Sequence, residues 1–137
     1  MKMYNSPHAL SDYLDTNFEC SCGKNHYAAL KYVSVGKNTL NDLPDILRGL
    51  GKVYPYLICD AITYSIAGSQ AMEILKQAGI NAKFHQLTHL NFDEATVGEL
   101  LINKPAECDI AVAVGTGAIN DMTRYFSFRL TAEFNKF

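Results

Sequence analysis

The run Ile110-Ala111-Val112-Ala113-Val114 is apolar at every position and passes directly into Gly115. It continues as Ile119, Met122, Phe126 and Leu130, at steps of three or four. A strand with no polar face to give to water must be covered on both sides. Followed at once by an amphipathic helix, it reads as one βα unit of a sheet with helices on both faces.

The same pattern recurs upstream. Segment 53–59, VYPYLIC, is an apolar strand closed by Asp60, with Pro55 arguing for a late start. Ile66, Ala67, Ala71, Ile74, Leu75 and Ala78 then form one helical stripe that stops at Gly79. Segment 30–36, LKYVSVG, alternates as a strand does. Leu40, Leu43, Leu47 and Leu50 follow at helical spacing, with Asn41 or Asp42 as cap and Pro44 in the first turn. A weaker strand is expected at 82–87, and a helix from Asp93 and Glu94 to Lys104-Pro105. Four strands alternating with helices predict an α/β domain with a mostly parallel sheet and right-handed crossovers. Ahead of it, Ser6-Pro7 opens a short helix, and 17–29 shows no period and reads as loop or irregular chain. The expected division is an N-terminal helix and C-x-C loop at 1–29, then the α/β region at 30–137, as a single domain overall.

Composition narrows the function classes. Of 137 residues, 48% are hydrophobic and 19% charged, a globular balance, and the formal charge is −2. That charge supplies no field for a nucleic-acid backbone or an anionic membrane. No apolar run approaches the roughly 20 residues of a membrane span, and the N-terminus lacks a secretory pattern. Cys59 and Cys108 lie in apolar segments and are expected as buried free thiols, which points to a reducing, cytoplasmic compartment.

Three places carry candidate chemistry. Gly115-Thr116-Gly117-Ala118 lies between a strand and a helix, where glycines admit close backbone approach and a helix N-terminus faces an anion. The alternative is a turn that needs glycine for geometry alone. Asp60 closes an early strand, and its carboxylate either accepts ribose hydroxyls or caps the helix starting near Thr63. Both features belong to the edge where open α/β sheets bind ligands. Cys20, Cys22 and His26 offer two thiolates and an imidazole to zinc, although C-x-C is tighter than the usual knuckle; the alternative is a plain loop near solvent. His85 and His89 read as ordinary surface histidines. No Ser-His-Asp or P-loop pattern is present.

The ordered motifs F-x-C-x-C-G-K-x-H (18–26), V-x-V-G (33–36), D-x-x-T-Y-x-I-A-G (60–68) and D-I-A-V-A-V-G-x-G-x-I-N-D (109–121) resemble the N-terminal domain of sn-glycerol-1-phosphate dehydrogenases. These are NAD(P)-dependent enzymes of the iron-containing alcohol dehydrogenase, glycerol dehydrogenase and dehydroquinate synthase superfamily. The resemblance implies a Rossmann-like sheet with flanking helices, the N-terminal domain of the dehydroquinate synthase-like fold, without its helical metal domain. It places Asp60 on the adenosine ribose, Thr63 and Tyr64 at the following helix start, and Gly115, Thr116, Gly117 and Ala118 at the pyrophosphate turn. Asn120 and Asp121 match an N-D pair whose aspartate faces substrate. Ile62 stands for a usual Asn, Thr116 for Ser and Ala118 for Thr, changes on the scale of about 1–2 kcal/mol of cofactor affinity.

The implied reaction is reversible reduction of dihydroxyacetone phosphate to glycerol 1-phosphate with NAD or NADP. Its catalytic zinc is expected only in a C-terminal half, on an Asp and two His beyond residue 137. The chain is therefore expected to be truncated, inactive alone, dependent on a separate metal-binding half, and homo-oligomeric through aromatic residues such as Tyr125, Phe126, Phe128, Phe134 and Phe137, the alternative being that some of these rings finish the core. The alternatives are a non-catalytic nucleotide- or phosphate-binding module, or a dimerising remnant that binds nothing.

Overall fold

A computed structural model describes residues 10–89 and 91–134. The helix expected from Ser6-Pro7 therefore falls mostly outside the described residues, which begin with a 3-10 turn at Leu10–Tyr13. The chain divides into two compact units, Met1–Thr39 and Leu40–Phe137.

In the first unit, β1 (Thr16–Glu19) and β2 (Asn25–Ala28) form an antiparallel hairpin, with Phe18 opposite His26 and Glu19 opposite Asn25. The expectation of irregular chain across 17–29 is thus corrected. Each strand has only four residues, too few for a period to show. Gly23, at φ 79°, lets the turn close, and the Gly23 N–H donates to the Cys20 carbonyl at 2.9 Å. Asp15 accepts from the Tyr27 hydroxyl and pairs with Lys31. The strand expected at 30–36 is not formed. Its alternation is real, but no strand among the described residues pairs with it, and Tyr32, Val33 and Val35 stay exposed.

The second unit is a three-stranded parallel sheet of β3 (Pro55–Cys59), β4 (Lys83–Gln86) and β5 (Ile110–Ala113) in the order β4-β3-β5, where the sequence suggested four strands in one sheet. A 3-10 turn at Thr39–Asp42 leads into α1 (Leu43–Gly49), with Asp42 at the N-cap position but no side-chain capping bond from it, and Pro44 in the first turn. The central strand β3 (Pro55–Cys59) begins at the proline and is buried throughout. Its pleat divides the interior. Tyr56 and Ile58 face α4 (Glu94–Asn103) and α5 (Gly117–Phe134), joining Leu87, Leu100, Cys108, Ile119, Met122 and Phe126. Leu57 faces the other way, onto Leu47, Ala71, Leu75 and Ile80. Strand β5 (Ile110–Ala113) also packs on both faces, Ala111 and Ala113 on one, Ile110 and Val112 on the other. It is nonetheless only half-buried, because it is an edge of this sheet, whereas β3 lies between two neighbours.

The expected helix after Asp60 is interrupted. It runs as α2 (Ala61–Thr63), a π-helical turn at Tyr64–Gly68, and α3 (Ser69–Gln77), stopping at Gly79 as expected. The wider turn rotates the apolar stripe, so Ile66 is exposed while Gly68 and Ala71 are buried. It also brings the Tyr64 ring onto Phe84 of β4 (Lys83–Gln86), with centroids 4.7 Å apart. Leu50, placed on the α1 stripe, is 37% exposed just past the end of that helix.

Candidate functional site

The C-terminal ends of β3 and β5 lie side by side. Ile58 pairs with Ala113, and the Val114 N–H donates to the Ile58 carbonyl at 2.9 Å. The chain therefore leaves the sheet at Asp60 and at Gly115 on one edge.

Asp60 is buried and caps α2. Its Oδ1 accepts the Thr63 N–H at 2.7 Å, while Thr63 Oγ1 accepts the Asp60 N–H at 3.0 Å. This reciprocal capping box settles one half of the alternative posed by the sequence: Asp60 is a cap. The cap uses one carboxylate oxygen. Oδ2 has no hydrogen bond among the described residues, so the carboxylate keeps an acceptor for a second task.

Thr63 also joins the two exits. A Cβ on Gly115 would lie 3.1 Å from Thr63 Cγ2 and 2.5 Å from Ile119 Cδ1, inside any ordinary contact. Gly115 is thus required by the approach of its backbone to the β3 exit and to the core end of α5. Beyond it the turn opens outward: Thr116, Gly117 and Ala118 are exposed, and a Cβ on Gly117 would meet nothing within 4 Å. The Asn120 N–H bonds to the Thr116 carbonyl at 3.0 Å, which leaves the first N–H groups of an 18-residue helix facing solvent. Asn120 and Asp121 are exposed within the first turns of the same helix. The structure brings Asp60, Thr63 and Gly115 into one group, with Thr116, Gly117 and Ala118 extending from it.

Cys20, Cys22 and His26 converge separately in the first unit, their ligand atoms within 4.8 Å of one another. The Cys22 backbone and side chain, followed by Ser21, hold the Cys20 thiol below its usual range. Cys59 and Cys108 are buried free thiols, as expected, and burial pushes both up.

One pairing is not visible in the sequence. His85 is not a surface residue; its Nε2 lies 2.6 Å from Glu99 Oε1, both side chains under one-fifth exposed. Thr88 adds its N–H to Oε1 at 3.3 Å and its hydroxyl to Oε2 at 2.9 Å. Burial pushes the Glu99 carboxyl up, but the bonds from His85 and Thr88 outweigh it and hold the group below the usual range. No sequence period links residues fourteen apart on a strand and a helix. A cleft of about 540 Å³ lies at the opposite end of the strands, lined by Tyr56, Lys104, Cys108, Asp109, Phe126 and others. The buried Tyr56 hydroxyl there has no hydrogen-bond partner among the described residues, and burial pushes its pKa up to about 12. That end is not the one from which α/β sheets present helix N-termini to ligands.

Residues 34–135 match the iron-containing alcohol dehydrogenase family. The chain belongs to that family. Similar proteins include glycerol-1-phosphate dehydrogenases [NAD(P)+] of Halalkalibacterium halodurans, 34% identical over 122 residues, and of Bacillus velezensis, 30% over 110. A third, from Bacillus subtilis, is 28% identical over 102 residues. These matches cover 85%, 77% and 71% of this chain but 31%, 28% and 26% of the relatives. The chain thus spans about 30% of the length of the relatives it matches. They bear out the resemblance read from the motifs, and the parallel sheet with helices on both faces bears out the fold class. No helix among the described residues is long and apolar enough to cross a membrane.

Proposed function

We propose that this chain is the dinucleotide-binding part of a glycerol-1-phosphate dehydrogenase-like enzyme, taking NAD or NADP at the edge formed by Asp60, Thr63 and Gly115–Ala118. The observation that carries this reading is the juxtaposition of a buried carboxylate having a spare oxygen with an open helix N-terminus. A dinucleotide presents this pair of demands: ribose hydroxyls that donate and a pyrophosphate that accepts. Asn120 and Asp121, one turn further, would meet the substrate side of the cofactor.

Reduction of a ketone by hydride needs an electrophile on the carbonyl oxygen, which family members obtain from a metal ion. The described residues do not supply that site. Their one cluster of three ligating groups is two thiols and an imidazole, not the carboxylate and imidazole set the resemblance implies. On this reading the described residues bind cofactor, and turnover of dihydroxyacetone phosphate draws its metal from residues other than these. Self-association of this chain is part of the same proposal.

Calorimetric titration with NADH and NADPH tests the reading. Binding in the micromolar to low-millimolar range is expected, competed by ADP-ribose and weakened in Gly115→Ala. Absence of binding by a chain with native circular dichroism would overturn it in favour of a remnant without a ligand.

A further inference from the structure

We propose that the hairpin of the first unit is a zinc site, with Cys20 Sγ, Cys22 Sγ and His26 Nε2 as the protein ligands and water in the fourth position. The three ligands belong to the first unit and the cofactor edge to the second, so the proposal does not rest on the cofactor reading.

The geometry is close to what the ion requires. Tetrahedral zinc, with bonds of roughly 2.3 Å to sulfur and 2.0–2.1 Å to nitrogen, spaces such ligand atoms about 3.5–3.8 Å apart. Here Cys22 Sγ and His26 Nε2 are 3.2 Å apart, and all three ligand atoms fall within 4.8 Å. Small side-chain rotations suffice to enclose an ion. The backbone is already set: Cys20 follows β1, the turn closes by Cys20 N–H to Lys24 carbonyl at 3.1 Å, and His26 lies one residue into β2. The Phe18 ring stacks on the His26 imidazole, with centroids 5.7 Å apart and planes at 27°, and so restricts its rotation. Two thiols and an imidazole are a soft donor set that suits zinc over magnesium or calcium. Binding releases the two thiol protons, leaving two thiolates that balance the ion's charge.

A second observation points the same way. None of residues 11–39 whose burial the structure describes is buried. Two four-residue strands are marginal without a hydrophobic face, and small units lacking a core hold together by metal or disulfide staples. The four cysteines are free, with Cys59 and Cys108 buried in the other unit. A zinc ion closing the loop from Cys20 to His26 supplies what this hairpin lacks.

The test uses the full chain, titrated with zinc against a chromophoric chelator and, in parallel, with cobalt as a spectroscopic stand-in. One zinc per chain is expected, retained through desalting, and cobalt should show thiolate-to-metal charge-transfer absorption. Cys20→Ser, Cys22→Ser and His26→Gln should each weaken zinc binding by about 100-fold or more. Hydrogen exchange should show zinc protecting the amides of 18–27 while leaving those of β3 unchanged. Retention of zinc by the triple variant, or no zinc bound by the wild-type chain while its β3 amides stay protected, would overturn the assignment. Nucleotide titrations should be the same with and without zinc, so failure here is distinguishable from failure of the cofactor site.

Discussion

At the scale of single residues, Asp60 carries two demands that substitution can separate. Asp60→Asn keeps an oxygen for the Thr63 N–H and removes the charge, while Asp60→Ala removes both. The alanine variant should lose about 1 kcal/mol of stability, the usual value of an N-cap, and the asparagine variant much less. Both should weaken NAD(H) binding about tenfold, the scale of one charge-assisted hydrogen bond. Chemical denaturation and calorimetry check the two effects. Equal binding by wild type and Asp60→Asn would leave Asp60 as a cap alone. The sequence made this residue legible because a carboxylate directly after a buried strand has few roles. The choice between them was not legible, since the capping box and the free second oxygen are facts of side-chain geometry.

At the scale of elements, the His85–Glu99–Thr88 cluster ties β4 to α4 through one carboxylate. Glu99 is held below its ordinary value in the folded chain, so its contribution to stability is complete above that ordinary value and is lost as pH falls through the lowered native one. Glu99→Gln should therefore flatten the acid limb of stability against pH, and cost stability near neutrality by replacing the carboxylate that His85 and Thr88 share with a neutral amide. Thermal melts from about pH 3 to 7, spanning the carboxylate range, check this; an unchanged acid limb would contradict it. What was legible among the elements followed length and period. The Leu43–Leu47 face, the Asp93 cap and the Pro105 stop appear where the sequence places them. The failures were of two physical kinds. Segment 30–36 has a strand's alternation, but pairing is a property of a neighbour, not of the segment. The stripe after Asp60 was read at a constant 3.6 residues per turn, which the π-helical turn at Tyr64–Gly68 breaks.

At the scale of the molecule, the layered α/β arrangement was legible because Ile110–Val114 and Tyr56–Cys59 both need cover on two sides. The number of paired strands was not, since the same apolar run serves a central strand or an edge. That difference bears on association. Both β4 and β5 are edges of the described sheet, and β5 is only half-buried. The aromatic residues of α5 divide accordingly. Phe126 completes the core at 1% exposure, whereas Phe128 and Tyr125 are 67% and 40% exposed, Tyr125 meeting the exposed Phe92 ring at 5.9 Å. Phe134 and Phe137 belong to side chains outside the described residues. Exposed aromatic surface and an open strand edge each favour self-association. Sedimentation velocity over a concentration series should show a dimer or larger species. Burying one aromatic ring contributes about 1.5–3 kcal/mol, so Phe128→Asp should weaken association at least about tenfold. Because Phe128 stands outside the core, that variant should keep the melting temperature of the isolated fold. Monomer at every concentration for the wild-type chain would remove self-association from the proposal. Dimers unaffected by the substitution would instead shift the interface to another face, the free edge of β4 being the first to test.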